Sequence, residues 1–344
     1  MKQNSLVSII IVNWNGKHWL PGCFNSLARQ DWKNYEIIFV DNASTDGSVA
    51  WMKKHYSKTK ILINKENLGF ADANNVGFRK ARGKYILFLN NDTRVTKTFL
   101  SMLVHSLERN HDVAGVQSKL LLMDEPDRLD AIGAFFTNTG FLYHYGFHAK
   151  NGVKLNKETN LYTAKGACMM FRKSVLDQVA IDGNIFDPSY FAYFEETDMC
   201  HRVWIRGYRI MYVPKSVIYH KAGGTSTAMN NSFIQYHSFK NRIQSYLTNL
   251  STRTLVFLMP MHLTFTLGFA FVAFLRGKWR LGIAVINAVF WNIGHVNMTM
   301  AKRSYVQTHI RKLSDRELLP RITRNQGIGY YRKLLGGLSL YQHE

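Results

Sequence analysis

Cysteine is scarce in this chain of 344 residues, which contains only Cys23, Cys168 and Cys200. Three scattered cysteines are too few for a disulfide framework and lack the spacing of a zinc site. We therefore expect a reducing, cytosolic compartment. The N-terminus has no apolar segment with a small-residue cleavage site, and so no signal peptide is predicted.

Two glycine-rich nucleotide motifs are also missing. No G-x-G-x-x-G follows the first predicted strand, and no G-x-x-x-x-G-K-[ST] phosphate loop occurs. This excludes a dinucleotide-binding Rossmann start and a P-loop nucleotidase. The chain also has no fixed-period repeat and no low-complexity tract.

Acidic residues are few: 23 Asp and Glu stand against 44 Lys and Arg, for a net charge of +21. From Lys240 to Glu344 there are 15 basic and 3 acidic residues, so +12 of that charge lies in the last third. The same third is strongly apolar. Basic and apolar character together favour an anionic membrane surface over nucleic acid, which would call for exposed aromatics among the basic residues or a known binding module.

Apolar runs typical of buried strands alternate with helical patterns in the first two thirds. The runs predict strands at 6–12, 35–40, 60–64, 85–89, 113–117, 209–213 and 216–220. Such alternation at short spacing predicts an α/β fold with a mostly parallel sheet flanked by helices.

Three of the predicted strands are followed directly by polar residues: Asn13, Asp41, and Asn90 to Asp92. In open α/β sheets, ligands bind outside the carboxyl ends of the strands. A strand that ends in Asn-Asn-Asp is also consistent with a simple turn. Because all three strands end in this way, we expect a binding site at this edge.

These motifs carry a family resemblance. The segments VSIIIVNWNG, IIFVDNASTDGS, NLGFADANNVG and LFLNNDT, in this order, resemble the N-terminal half of a family 2 glycosyltransferase with the GT-A fold. The pattern is most similar to the rhamnosyltransferase-like enzymes of cell-surface polysaccharide synthesis. The resemblance implies a GT-A catalytic domain over 1–227, and we expect 228–344 to form a helical, membrane-associated region.

The resemblance also implies which residues bind the nucleotide sugar. They are Asn13, Asn15, Asp41, Asn67, Gly69, Phe70, Asn74, Asn91, Gly166 and Ala167. Simpler interpretations stay open for some of them: a turn or helix cap for Asp41, and close strand packing for Gly166 and Ala167.

A divalent cation, Mn²⁺ or Mg²⁺, is the implied cofactor. A nucleoside diphosphate leaves more easily when a hard cation held by carboxylate oxygen neutralises its charge. Asp92 is the candidate ligand. Asn90 replaces an acid that is usual in the motif, and His220 resembles the histidine that completes the metal site. The alternative for His220 is a packed side chain.

An acidic cluster follows an aromatic segment at 186–194. Glu196 aligns with the family's catalytic base, which would deprotonate an acceptor hydroxyl and lead to inversion at the anomeric carbon. Asp198 is expected to bind the acceptor or to fix the helix, and Glu195 to contact the sugar or acceptor. Acids also stabilise a first helical turn without any catalytic role.

Two uncharged stretches, 254–275 and 281–300, are each long enough to cross a bilayer. As a hairpin of two spans they would leave both ends in the cytosol. Helices lying in the membrane interface, or a buried helical pair, are the alternatives. The basic residues of 301–344 suit a cytosolic surface that faces anionic lipid.

These patterns predict a metal-dependent inverting glycosyltransferase at the cytoplasmic face of the membrane, either peripheral and monotopic or anchored by a hairpin. Its donor would be a dTDP- or UDP-sugar, its acceptor a lipid-linked glycan, and nucleic acid is not expected as a partner. The alternatives are a nucleotidyltransferase acting on sugar phosphates and a non-enzymatic basic protein that binds nucleic acid.

Overall fold

The computed structural model describes residues 5–221, 223, 230–327 and 329–330, which divide into two compact units. The first unit takes in the described parts of 1–134, 144–191 and 208–222. The second takes in those of 135–143, 192–207 and 223–344. The domain boundary predicted after residue 227 falls within 224–229, outside the described residues, and stays a prediction.

The strands along the described chain are β1 (Val7–Asn13), β2 (Tyr35–Asp41), β3 (Lys60–Ile63), β4 (Tyr85–Leu89), β5 (Thr93–Val95), β6 (Val113–Leu122), β7 (Gly133–Phe135), β8 (Tyr143–Tyr145), β9 (Thr159–Asn160), β10 (Cys168–Arg172) and β11 (Arg209–His220). The α-helices are α1 (Leu20–Ala28), α2 (Ser48–His55), α3 (Gly69–Phe78), α4 (Phe99–Arg109), α5 (Lys173–Val179), α6 (Glu195–Ile205), α7 (Asn231–Asn249), α8 (Thr252–Leu275), α9 (Trp279–Gly294), α10 (Val296–Tyr305) and α11 (Asp315–Ile322).

The first unit is organised around a mixed sheet in the order β3-β2-β1-β4-β10-β6-β11-β5, with β9 paired to β11. β1, β2, β3 and β4 run parallel, as do β6 and β11, whereas β10 is antiparallel to both of its neighbours. β4 is buried at every position, as its apolar run predicts. The predicted strands at 209–213 and 216–220 form one strand instead, because the chain continues through an irregularity in its register against β6.

The parallel register brings the polar strand ends together. Asn13 at the end of β1 lies opposite Asp41 at the end of β2. After β4 the chain turns through 90–92 into β5, which pairs antiparallel with β11 and sets Thr93 opposite His220. The sheet thus positions Asp92 beside the last residue of β11.

The second unit is helical. α7 has 19 residues, and α8 is continuous through Pro260. α8 is long and apolar enough to cross a bilayer, whereas α9 and the helical segment Val296–Ile310 pass that test only as a pair bent by 65°. The predicted uncharged stretch at 281–300 is therefore interrupted, because the helix breaks at Gly294 and His295.

Candidate active site

Side-chain amides link the strand ends of the first unit. Nδ2 of Asn13 donates to Oδ1 of Asp41 at 3.1 Å and to the hydroxyl of Ser44 at 3.1 Å. Oδ1 of Asn13 accepts from Nδ2 of Asn91 at 2.7 Å. The backbone N–H of Ser44 donates to Oδ2 of Asp41 at 2.8 Å. Asn13, Asp41 and Asn91 thus meet in one buried network, although they come from two strands and from the turn after a third.

The loops after β1 and β2 hold left-handed backbone conformations. The φ angle is 50° at Asn15 and 58° at Ala43. The backbone N–H of Asn15 donates to the Ser44 hydroxyl at 2.9 Å, and its Oδ1 accepts from the N–H of Thr45 at 2.8 Å. Such residues cost roughly 1–3 kcal/mol each and persist where surrounding contacts hold them. Asn15 is therefore fixed at the exposed rim of the strand ends.

Asn42, directly after β2, ties the predicted Asn67 and Gly69 to the strand ends. Its Nδ2 donates to Oδ1 of Asn67 at 3.1 Å and to the carbonyl of Gly69 at 2.9 Å. Gly69 has a φ of +73°, and a Cβ there would lie 2.3 Å from the carbonyl oxygen of Phe191, so only glycine fits. Sequence reasoning missed Asn42, although its place beside Asp41 at a strand end was an available signal.

The remaining predicted sugar-nucleotide residues lie on α3 and just before β10. A Cβ on Gly166 would lie 3.5 Å from the ring of Phe70, which is an ordinary van der Waals contact, so Gly166 lies beside this ring without being required there. The carbonyl of Ala167 accepts from the backbone N–H of Asn90 at 3.0 Å. Asn74 is buried, and its amide donates to the carbonyl of Phe70 at 2.8 Å. Asn74 thus contributes a contact within α3.

Asp92 and His220 face each other at the ends of their segments. Oδ1 of Asp92 lies 3.4 Å from Nε2 of His220, and among the described residues this buried oxygen has no hydrogen-bond partner. On the other side of the imidazole, Nδ1 lies 2.9 Å from Oδ2 of Asp130. Oδ1 of Asp130 accepts from Nζ of Lys165 at 3.0 Å. Sequence reasoning missed Asp130, which lies 90 residues before His220 without a local motif to mark it.

The carboxylates on either side control the protonation of this histidine. Burial alone lowers the pKa of His220, but its contacts with Asp130 and Asp92 raise the pKa to about 9. Burial likewise raises the pKa of Asp130, yet the hydrogen bond from His220 and the charge of Lys165 hold that pKa well below its ordinary value. With no cation beside it, the imidazole therefore carries a proton on both nitrogens near neutral pH.

These residues fit one side of a divalent-cation site. A carboxylate bound to one ring nitrogen orients a histidine so that the other nitrogen can bind metal. Oδ1 of Asp92 lies on that side and is a hard oxygen ligand. Within the described residues no three His, Cys, Asp or Glu side chains form a complete metal site. Mg²⁺ sites commonly use one or two carboxylates together with substrate phosphates and water, so an incomplete protein site is compatible with this cation.

Asn90 is held through its backbone. Its N–H donates to Ala167, and its carbonyl accepts from the hydroxyl of Thr93 at 2.7 Å. These contacts fix the turn that carries Asp92. The predicted role of the Asn90 side chain as a metal ligand stays a prediction.

In the second unit, the acids of α6 have contrasting surroundings. Glu195 is buried and its Oε2 makes no hydrogen bond, and both burial and the charge of Glu196 raise its pKa well above the ordinary value. Oδ2 of Asp198 pairs instead with Nη2 of Arg202 at 3.0 Å, and its Oδ1 accepts from Nδ2 of Asn249 at 2.7 Å. These contacts favour the alternative in which Asp198 fixes the helix.

The backbone that leads into α6 is strained. Phe191, Tyr193 and Phe194 have φ angles of 61°, 69° and 73°. Nδ2 of Asn241, on α7, donates to the carbonyls of Ala192 at 2.9 Å and Tyr193 at 2.6 Å. Asn241 therefore holds the turn that presents Glu195 and Glu196. Sequence reasoning missed it, because nothing in the pattern of α7 distinguishes this amide from a surface residue.

Comparison with known proteins decides the family. The family model described as "Glycosyl transferase family 2" matches residues 8–180. The chain belongs to this family. The predicted enzyme class is thereby confirmed: the protein is a family 2 glycosyltransferase. Its assignment to the rhamnosyltransferase-like branch stays a prediction.

Relatives of this glycosyltransferase share only part of their length with it. The uncharacterized glycosyltransferase YibD of Escherichia coli is 33% identical over 118 residues, which cover 33% of this chain and 34% of YibD. Among the first curated relatives the matched segment spans between 20% and 44% of the relative's own length. The activity and substrates of those whole proteins therefore do not transfer directly.

Solved structures share the fold. The structure of GalNAc-T7 with UDP, GalNAc and Mn²⁺ has a TM-score of 0.56 and 14% identity, covering 72% of this chain and 48% of that one. The structure of S. aureus TarS 1–349 in complex with UDP has a TM-score of 0.53 and 16% identity, covering 98% of this chain and 92% of that one. These likenesses confirm the predicted GT-A fold.

Proposed function

We propose that this glycosyltransferase moves a sugar from a nucleoside diphosphate to a lipid-linked or polysaccharide acceptor, with a divalent metal and with inversion at the anomeric carbon. The observation that carries the proposal is the Asp92–His220 pair, in which a carboxylate oxygen without a hydrogen bond faces an imidazole oriented by Asp130. Mn²⁺ or Mg²⁺ bound there would neutralise the charge that develops on the leaving diphosphate. The GalNAc-T7 structure, which contains UDP and Mn²⁺, supports this choice of cofactor.

The strand-end network is the proposed donor site. Asn13, Asn15, Asp41 and Asn91 would bind the base and ribose, because their loops are already fixed by mutual hydrogen bonds. A site held in advance loses little entropy when its ligand binds. The residues that would lie along the nucleotide sugar are Asn67, Gly69, Phe70, Asn74, Gly166 and Ala167.

Glu196 is the proposed base. As the acceptor oxygen forms its bond to the anomeric carbon, Glu196 takes the hydroxyl proton and the bond from that carbon to the diphosphate breaks. The electron pair leaves with the diphosphate, and displacement from the opposite face inverts the configuration. Glu195, whose raised pKa favours the neutral acid, would donate a hydrogen bond to the sugar or acceptor. Asp198 would fix the helix.

The C-terminal helices are the proposed membrane contact. α8 exposes large apolar side chains, among them Phe257 at 73% and Leu275 at 71%, and α9 exposes Trp279 at 63%. Exposed apolar patches of this kind mark membrane or protein contacts. Exposed basic residues flank the helices at Arg253, Arg276 and Arg280. We place this surface at the cytoplasmic face, peripheral, monotopic or anchored by a hairpin, where enzyme and lipid-linked acceptor share one plane.

The proposal divides the chain into a catalytic domain over 1–227 and a membrane-associated region over 228–344. For the donor we propose a dTDP- or UDP-sugar, and the specific candidate is dTDP-rhamnose. TarS 1–349, which has been solved with UDP, supports the use of a nucleoside diphosphate. The basic residues at 331–344 lie outside the described residues.

The deciding experiment measures nucleoside diphosphate released by purified protein in detergent. A panel of dTDP-, UDP- and GDP-sugars is tested with Mn²⁺ or Mg²⁺ and with lipid extract as acceptor. We expect turnover with one donor, dependent on metal and lost in Asp92→Ala.

The alternatives give different results in the same assay. Release of pyrophosphate in place of nucleoside diphosphate would indicate a nucleotidyltransferase. Salt-dependent DNA binding without turnover of any donor would indicate the nucleic-acid-binding alternative.

A further inference from the structure

Arg242 on α7 is a cation without a carboxylate partner among the described residues. Its guanidinium lies over the rings of Phe141, Phe194 and Phe239, at 4.8, 5.3 and 5.5 Å from their centroids. Its one hydrogen bond is long, from Nη2 to the hydroxyl of Ser238 at 3.4 Å, and its buried Nε makes none. Since a guanidinium has five N–H donors, most of its hydrogen-bonding capacity is unused.

The other sheltered arginines of this unit are fully engaged. Arg202 pairs with Asp198, and Arg311 pairs with Asp315 at 2.8 Å. Arg303 donates to the carbonyls of Leu247 and Leu250. A buried charge normally has such partners, because desolvation without them is costly. Arg242, which is partly exposed but has a fully buried Nε, has no such carboxylate or carbonyl partner among the described residues.

The aromatic rings around Arg242 stabilise its positive charge, but they do not identify a ligand for its N–H donors. Cation–π contacts stabilise a desolvated guanidinium but leave its N–H donors unsatisfied. The phenols nearby do not supply a counter-ion, because Tyr246 donates its hydroxyl to the carbonyl of Gly140 and burial raises its pKa. Burial lowers the pKa of Arg242, although guanidinium stays charged in proteins.

The position of Arg242 indicates what its ligand is. Phe194, under the guanidinium, directly precedes the acids Glu195 and Glu196. Phe239, another of the rings that contact the guanidinium, belongs to an apolar cluster formed with Ala270 of α8 and with Val285 and Ala288 of α9. Arg242 therefore contacts both the residue before the acids proposed to activate the acceptor hydroxyl and the apolar cluster of the helices proposed to contact lipid.

A lipid-linked acceptor has the same order of chemical groups. Its sugar hydroxyl is at one end, its apolar chain at the other, and a phosphate ester joins the two. Arginine binds phosphate through paired N–H donors that match its oxygens. We propose that Arg242 binds the phosphate or diphosphate group of a lipid-linked acceptor. This inference rests on the proposed function, because it assigns a substrate group to the same site.

Direct binding tests the inference without requiring sugar transfer. The full-length protein in detergent is titrated with geranylgeranyl diphosphate, with geranylgeraniol as the neutral control, and with UDP or dTDP. We expect Arg242→Gln to weaken binding of the lipid diphosphate at least tenfold and to leave the alcohol and the nucleotides unchanged. Arg242→Lys keeps the charge but loses the paired donors. Its affinity for the lipid diphosphate should therefore lie between those of the wild type and Arg242→Gln. The matched control is Arg109→Gln, which replaces an exposed arginine of α4 that belongs to neither the proposed donor site nor the proposed membrane contact.

Three results would overturn the inference. The first is unchanged binding of the lipid diphosphate in Arg242→Gln. The second is an equal loss for the alcohol, which would identify a packing role. The third is an equal loss for UDP or dTDP, which would identify the donor diphosphate as the ligand. Circular dichroism and the melting temperature establish that each variant folds.

The inference and the proposed function fail in distinguishable ways. A wild-type protein that binds the lipid diphosphate through Arg242 but releases no nucleoside diphosphate would contradict the proposed transfer. Normal sugar transfer by the Arg242→Gln variant would contradict the proposed phosphate site and leave the proposed function standing.

Discussion

Two buried aspartates, one in each unit, both belong to acidic motifs but have opposite surroundings. Asp92 in the first unit has an oxygen with no hydrogen bond, facing an imidazole at 3.4 Å. Asp198 in the second has both oxygens engaged, by Arg202 and by Asn249. A carboxylate whose acceptors are all occupied contributes to stability, whereas one with an unused buried oxygen is suited to a ligand. The partners of an acid therefore distinguish these roles better than its motif does.

The acids of α6 give the largest expected effect. Glu196→Gln removes the proposed base while keeping the size of the side chain, so we expect kcat to fall about 10³-fold with little change in melting temperature. Steady-state release of nucleoside diphosphate measures this. Unchanged turnover would mean that Glu196 is not the base and would transfer that role to Glu195. It would also weaken the comparison of the acids of α6 with the structural Asp198.

Asp198→Asn tests the other side of the comparison. It removes the negative charge from the buried pair with Arg202, and we expect a loss of about 3–5 kcal/mol in the free energy of unfolding. Urea denaturation measures it. Asp177→Asn is the matched control, because Asp177 pairs with Lys173 at the same helical spacing but is half exposed. We expect the control to cost less than about 1 kcal/mol. Equal losses would contradict the structural role of Asp198.

Asp130→Asn sharpens the description of the Asp92 site. Asp130 is proposed to orient His220 without touching the cation itself, so its loss should weaken apparent metal affinity by about 10- to 100-fold. Titration of turnover with Mn²⁺, at saturating donor, measures this. Excess Mn²⁺ should restore much of the activity in Asp130→Asn. Failure to restore it would mean that Asp130 acts on the reaction in another way.

The smallest expected effect is a pH dependence of stability. Burial, together with the charges of Arg311 and Arg202, lowers the pKa of His201 to about 3, although the charge of Asp315 acts in the opposite direction. An unfolded histidine binds a proton near pH 6.5, so below that pH the unfolded state gains protons that the folded state does not. His201 should therefore reduce stability as pH falls from about 6.5, by up to about 1.4 kcal/mol per pH unit. His201→Gln should flatten this slope in urea denaturation, whereas the exposed His55→Gln should not.

The sequence predicted well the parts of the site that depend on local pattern. β4 lies where its apolar run predicts, and parallel register brings Asn13 and Asp41 together as expected for adjacent strand ends. Gly69 was named through the family resemblance, and its backbone conformation requires glycine, whereas its role in binding stays a prediction. In each case a short segment contains all the information needed.

Contacts between distant segments could not be predicted in this way. Asp130 meets His220 across 90 residues, and Asn241 of α7 holds carbonyls that lie almost 50 residues earlier in the chain. Neither has a local signature, because the partner is chosen by the fold. The pair of Asp198 and Arg202 is different. Its spacing of four residues on a helix was available as a signal and favours a structural ion pair.

The strained turn before α6 also has a consequence for engineering. Phe194 is buried and its ring lies beside the guanidinium of Arg242, so glycine there would relieve the backbone but remove the packing of a core side chain. Tyr193 is only partly buried, so glycine at that position is the milder of the two changes. A selection for heat resistance should therefore retain the aromatic residue at 194 and accept glycine more readily at 193.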